Sequence, residues 1–229
     1  MVKGIKAKYT TVMPVAKIII IEDHPLFSKG LSSLIGSREG YNVAGEAKDS
    51  KEALKLAAET EPDLAILDLN LGNEDGLDLL KEMHRRFPKI AVLVLSMHDE
   101  RYYAERVLKA GGRGYIMKTE AGNKVIEASE AVLAGKTYFS EAQRERLSGY
   151  LEGGGEQRPL APVEKLSDRQ FQVFNLLGKG LGTVEIAAKL NLSAKTIDTH
   201  KEHIKDKLRC GTAQELKQLA IEWVNRPAE

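Results

Sequence analysis

Four apolar runs of the sequence end in residues that can handle phosphate and a metal ion. "IIIIEDHP" (18–25) runs into Glu22 and Asp23, and "DLAILDLN" (63–70) into Asp68, Leu69 and Asn70. "KIAVLVLS" (89–96) ends in Ser96, and "RGYIMK" (113–118) in Lys118. Three carboxylates suit a hard divalent cation, which takes carboxylate, carbonyl and water oxygens together with phosphate oxygens. Asp68 is central and is the candidate nucleophile. A carboxylate attacking a phosphoryl group needs its negative charge offset, which a cation and the Lys118 ammonium supply while Ser96 donates to a phosphoryl oxygen. The product of that reaction is an aspartyl phosphate. Asp and Ser often cap the turn after a strand and a lone Lys mostly faces solvent, so the joint placement of these groups carries the reading.

The elements that position them are legible in the periodicity. A β-branched run without polar alternation suits a strand covered on both faces, and Pro25 suits the first turn of a helix. Strands at 18–21, 41–47, 63–70, 89–96 and 113–118 alternate with helices after Pro25, at 49–60, 75–87, 99–111 and 121–136. Strict alternation predicts right-handed crossovers and a doubly wound five-stranded parallel sheet in an α/β domain. Ligands of such sheets bind outside the carboxyl ends of the strands, which is where Glu22, Asp23, Asp68, Ser96 and Lys118 fall.

From 141 the pattern dissolves into a Gly- and Pro-containing stretch that reads as a flexible linker. Beyond it only helical segments are expected, at 167–178, 183–190, 194–209 and 212–225. The chain therefore divides into an N-terminal extension (1–15), an α/β domain (16–140), a linker (141–162) and a small all-α domain (163–229). The extension is basic, lacks the apolar core and cleavage site of a signal peptide, and reads as disordered, with Met13 an alternative start.

Composition narrows the setting. A single cysteine, Cys210, provides neither a disulfide framework nor a thiol cluster for structural zinc and favours a reducing cytoplasm. The apolar runs fall short of the roughly 20 residues needed to cross a bilayer, so no membrane association is expected. Residues 16–140 hold 17 basic and 20 acidic side chains, against 11 and 9 in 163–229. That split leans towards nucleic acid as a partner of the second half.

The motifs "IIEDHP", "ILDLNLGNEDG", "LSMH" and "GYIMK", in this order, resemble the receiver domain of bacterial response regulators over about residues 16–135. The resemblance implies a flavodoxin-like fold in which Asp68 accepts phosphate from a sensor histidine kinase. It implies Mg²⁺ as cofactor, bound by Asp23, Asp68 and the Asn70 backbone carbonyl, with Glu22 holding a metal-bound water. Ser96 and Lys118 would contact the phosphoryl group, and Ser96 with Tyr115 would form the switch. Read from the residues alone, Tyr115 is equally a half-buried strand aromatic. His24 and His98 read as solvent-facing loop residues, because an oxygen-rich cluster suits Mg²⁺ better than zinc. Gly72 stands where the family usually has proline, which predicts a looser loop beside Asp68.

In the second domain, "TVEIAAKLNLSAKTIDTHKEHIKDKLRC" contains a helix, the break "LNLS" and a second helix with Ser193 as N-cap, a helix-turn-helix by pattern. Ile197, His200, Ile204 and Leu208 share the inward face of the second helix. Lys195, Thr199, Glu202 and Asp206 face away, with Asp198, Lys201 and Lys205 to one side. Lysines there can neutralise phosphates, Thr199 can reach a base edge and Glu202 can accept from cytosine. The stretch from 163 to 227 is similar to the LuxR-type DNA-binding domain of the family that includes NarL and FixJ. Asp198 and Glu202 stand where several members have lysine, and Gln170 and Gln172 where glutamates are usual. The expected DNA-contacting set is Lys195, Thr196, Thr199, Lys201, Glu202 and Lys205.

Together these features describe a transcription factor controlled by phosphorylation of Asp68. Its partners would be a sensor kinase, double-stranded promoter DNA, a second copy on activation, and RNA polymerase. It is not an enzyme beyond slow Mg²⁺-dependent self-phosphorylation from small donors and autodephosphorylation. Two other readings share the acidic cluster. One is a receiver that works without phosphorylation; the other is a metal-dependent phosphatase, which needs a second carboxylate where Asn70 stands.

Overall fold

The computed structural model of the chain describes residues 15–72, 74–151 and 162–225. The extension expected at 1–15 lies, but for Val15, outside these residues, as does the part of the expected linker at 152–161. Five strands form one parallel sheet: β1 (Ala16–Ile21), β2 (Tyr41–Ala47), β3 (Leu64–Asp68), and two named below as β6 and β7. Between β3 and the rest lies a two-stranded antiparallel hairpin, β4 (Asn70–Leu71) with β5 (Glu74–Asp75). β6 (Ala91–Ser96) and β7 (Gly114–Met117) complete the large sheet, in the order β2-β1-β3-β6-β7.

The four isoleucines of β1 show why both faces must be covered. Ile18 and Ile20 pack on one face with Leu31 and Ile35 of α1 (Pro25–Gly36) and with Val125, Ala128 and Val132 of α5 (Ala121–Leu133). Ile19 and Ile21 point the other way, towards α2 (Ser50–Thr60), α3 (Gly76–Arg86) and α4 (Glu100–Lys109). All four are fully buried, and each such side chain contributes about 1.5–3 kcal/mol of transfer free energy. Caps fix where the helices begin. Asp49 accepts from the Glu52 N–H (2.8 Å) ahead of α2, and Asp75 from the Leu77 N–H (3.0 Å) ahead of α3.

Residues 141–151, read from the sequence as the start of the linker, form α6 (Glu141–Leu151). Its apolar positions are too sparse to show a stripe. Leu147 nevertheless buries into the cluster that holds Tyr103, Ala104 and Val107 of α4, and the Gln143 N–H bonds to the Ser140 hydroxyl (3.4 Å) at the helix start.

The C-terminal helices follow the expected segments closely: α7 (Asp168–Gly178), α8 (Thr183–Leu190), α9 (Ala194–Leu208) and α10 (Ala213–Val224). α7 opens on a capping box. The Ser167 hydroxyl accepts from the Gln170 N–H (3.3 Å), and Gln170 Oε1 accepts from the Ser167 N–H (3.0 Å). Gln170 thus fills the N3 role that glutamate also serves, and its Oε1 takes a further bond from Lys207 (2.8 Å). Asn191 carries the α8–α9 turn at φ 53°, in the left-handed region that asparagine tolerates.

α4 carries the contact between the two halves. Tyr102 donates to the Val224 carbonyl (3.0 Å), and Arg106 donates to the Leu166 and Val163 carbonyls (3.2 Å each). The Arg106 guanidinium lies 4.1 Å over the Phe171 ring, which meets Tyr103 edge-on at 5.4 Å. Among the described residues no helix is long and apolar enough to cross a membrane.

Candidate functional site

Strand register assembles the site. Ile21 pairs with Leu67, so Glu22 emerges beside Asp68; Asp68 pairs with Leu95, so Ser96 follows next to it; Ser96 pairs with Met117, so Lys118 comes last. Strand order reverses between β1 and β3, the point at which open α/β sheets leave a crevice.

In that crevice Lys118 Nζ lies 2.7 Å from Asp68 Oδ2 and 2.6 Å from Glu22 Oε2, with all three side chains nearly buried. Phe27 of α1 roofs the ammonium, its ring 4.7 Å from Nζ. Burial pushes the Asp68 carboxyl up to about 6, with Lys118 pulling it down and Glu22 adding to the rise. For Lys118, burial works against the charged form, but Asp68 and Glu22 more than offset it and hold the amine above its ordinary value. Asp68 Oδ1 is buried with no hydrogen-bond partner. Asn70 opens the β4–β5 hairpin, and its backbone N–H favours the ionised form of Asp68.

Asp23 is half-buried at the mouth. His24 is exposed, as expected, yet leans on the cluster: its Nδ1 lies 2.9 Å from Asp23 Oδ1 and 3.2 Å from Glu22 Oε1. One donor atom each from Glu22, Asp23, His24 and Asp68 fall within 4.8 Å of one another. Gly72 turns at φ 57°, with the position of an added Cβ 3.7 Å from Asp23 Oδ2. A proline, locked near −65°, cannot make that turn. The departure from the family therefore sets the path of this loop.

Ser96 is fully buried, and its hydroxyl accepts from the His98 N–H (3.2 Å). Tyr115 points inward and donates to the His98 carbonyl (2.8 Å); burial holds its phenol well above the ordinary range. The half-buried strand aromatic that the residues alone allowed is thus a fully buried one, 2% exposed. His98 corrects the solvent-facing expectation. Its ring stacks on Tyr103 (centroids 4.7 Å apart, planes at 14°), and burial together with Lys179 and Lys189 lowers its basicity to about 4. Sequence could not place this ring, because Tyr103, on which it stacks, packs in turn on Phe171 of the other half of the chain.

The helix-turn-helix residues divide into three groups. Lys195, Thr199 and Glu202 lie exposed along the outer face of α9, as the wheel predicts, with Asp206 beyond them. Thr196 is taken up in the helix start, its N–H bonded to Ser193 Oγ (3.0 Å). Lys201 reaches back to α8, donating to Thr183 Oγ1 (3.0 Å), and Lys205 pairs with Glu202 (2.9 Å). Ile197, Ile204 and Leu208 are buried and His200 is half-buried, its pKa lowered by burial and by Arg169.

A buried carboxylate between a lysine and two acidic neighbours at a sheet switch point, joined to a helix-turn-helix, defines a receiver coupled to a DNA-binding domain. Residues 18–130 match the family described as the response regulator receiver domain, and 164–220 the bacterial regulatory proteins of the luxR family. Oxygen regulatory protein NreC of Staphylococcus epidermidis is 33% identical over 210 residues, covering 90% of this chain and 96% of that one. BvgA of Bordetella pertussis is 33% identical over 204 residues, covering 89% and 96%. Among solved structures, RcsB from Salmonella enterica serovar Typhimurium, bound to promoter P1flhDC with phosphomimetic BeF3⁻, is 27% identical with a TM-score of 0.58, covering 90% and 98%. The chain belongs to the NarL/FixJ family of response regulators, transcription regulators with a receiver and a LuxR-type DNA-binding domain.

Proposed function

We propose that Asp68 accepts a phosphoryl group from the phosphohistidine of a sensor kinase and thereby controls dimerisation and promoter binding. The observation that carries this is the buried Asp68 carboxylate, 2.7 Å from the Lys118 ammonium and with Oδ1 unpartnered.

The donor set fits Mg²⁺: hard oxygens from Asp23 and Asp68, the Asn70 backbone carbonyl, and Glu22 acting through water. When bound, the ion offsets negative charge shared between the carboxylate and the phosphoryl oxygens. The remaining work belongs to the chain. An oxygen of Asp68 attacks phosphorus; the new P–O bond forms as the P–N bond to the donor imidazole breaks, and that nitrogen keeps the electron pair. Lys118, already at hydrogen-bond distance, moves its pairing from the carboxylate to a phosphoryl oxygen. Ser96 donates to another. The closed setting of Phe27 and the apolar sheet edge strengthens each of these attractions.

At the other end, Lys195 contacts backbone phosphates of promoter DNA, and Thr199 and Glu202 meet base edges in the major groove. The domain's balance of 11 basic to 9 acidic residues gives one copy little electrostatic hold, so a second copy is needed. Sedimentation velocity with Mg²⁺ and acetyl phosphate tests this: the chain should shift from monomer to dimer, and an Asp68→Asn variant should not. A chain whose association state and duplex affinity ignore the phosphodonor would contradict the reading.

A further inference from the structure

His98 is held by its backbone and used by its ring. Its N–H donates to Ser96 Oγ (3.2 Å), and its carbonyl accepts from Tyr115 (2.8 Å). Both backbone groups are therefore tied to the side chains that line the Asp68 pocket. The ring leaves that pocket. It stacks on Tyr103 at 4.7 Å, and Tyr103 in turn meets Phe171 of α7 edge-on at 5.4 Å. His98 Nε2 is buried there without a hydrogen-bond partner, so the packed arrangement holds a polar atom that water would serve better. Around the stack, Tyr102 and Arg106 anchor α10 and the segment before α7, which makes the ring pair one end of a single docking seat.

We propose that His98 is a positioning residue that couples the Asp68 pocket to the docking of the DNA-binding domain on α4. While Ser96 and Tyr115 hold its backbone, its ring supports Tyr103 against Phe171. When Ser96 turns to a phosphoryl oxygen, the His98 N–H loses its acceptor. The loop then shifts, Nε2 reaches water, and the support under Tyr103 is withdrawn. The direction of control rests on the reading of Asp68 as phosphoacceptor; the docking role of the ring does not.

Trp223, the chain's single tryptophan, lies 6.4 Å from Tyr102 at this seat and reports on docking by its emission. The test uses the full chain, its His98→Ala variant and its His98→Phe variant, each with and without Mg²⁺ and acetyl phosphate. Intact mass reads phosphorylation and Trp223 emission reads docking. His98→Ala should gain about 80 Da like the parent. Its emission should already lie, without phosphodonor, at the longer wavelength that the parent reaches only when phosphorylated. His98→Phe keeps a ring on Tyr103 and should restore the docked emission. The proposal fails if His98→Ala emits like the parent, or if both variants release the domain alike. A parent chain that gains no mass would instead overturn the phosphoacceptor reading, while the unphosphorylated variants still decide the docking role.

Discussion

Asp68 sits under opposing forces that a free aspartate does not meet. Burial and Glu22 raise its carboxyl from an ordinary 3.8 to about 6 against the pull of Lys118, so ionising it in the folded state costs free energy. The sign follows: the folded protein loses stability as pH rises through the window from about 4 to about 6, and a cation that binds the ionised form recovers it. Mg²⁺ should accordingly raise the melting temperature more at pH 7.5 than at pH 5, where a proton competes for Asp68; equal shifts at both values would contradict this. Removing the ammonium has a larger effect. Lys118→Ala leaves Glu22 and Asp68 buried without their counter-charge and should cost about 3–5 kcal/mol in denaturant unfolding at neutral pH, less at pH 5. These residues were legible in the sequence because each closes an apolar run, and parallel pairing then brings run ends together. The ring of His98 was not, since it stacks on Tyr103, whose other side is met by Phe171 from the second half of the chain.

Elements differ in how much of their position is written locally. α8 and α9 carry their own start and stop signals in Gly182, Asn191 and Ser193, and their boundaries were readable to within a residue. α6 has no apolar stripe and is held by one buried leucine and by its neighbour α4, so local pattern said linker. The β4–β5 hairpin, too short for periodicity, depends on close approach at Gly76. A Cβ there would lie 2.5 Å from Leu69 Cα and 2.6 Å from the Asp68 carbonyl oxygen. Gly76→Ala should displace the acceptor loop and slow phosphorylation by acetyl phosphate, at a cost of about 1–3 kcal/mol in stability. On α9, Lys195→Ala should weaken binding to all duplexes and reduce the salt slope by about one. Glu202→Gln should instead change base preference at one position, because the amide both donates and accepts; footprinting on selected sequences separates the two effects.

Across the whole molecule, α4 joins chemistry to recognition. It begins four residues beyond Ser96 and carries Tyr102, Tyr103 and Arg106 into the second domain, while the outer face of α9 stays exposed. The docked form therefore restrains the DNA-binding domain without covering Lys195, Thr199 or Glu202. Phosphorylation can only bias states already sampled, so weak DNA binding without phosphate is expected. Domain order was legible from the switch in pattern between the two halves, whereas their mutual seat depends on aromatic packing that periodicity does not encode. The account stands first on the chemistry at Asp68. Intact mass after incubation with Mg²⁺ and acetyl phosphate, beside Asp68→Asn, tests it most directly. A gain of about 80 Da that requires Mg²⁺ and is absent from the variant is the predicted result. An unchanged mass, or an equal gain in the variant, would contradict it.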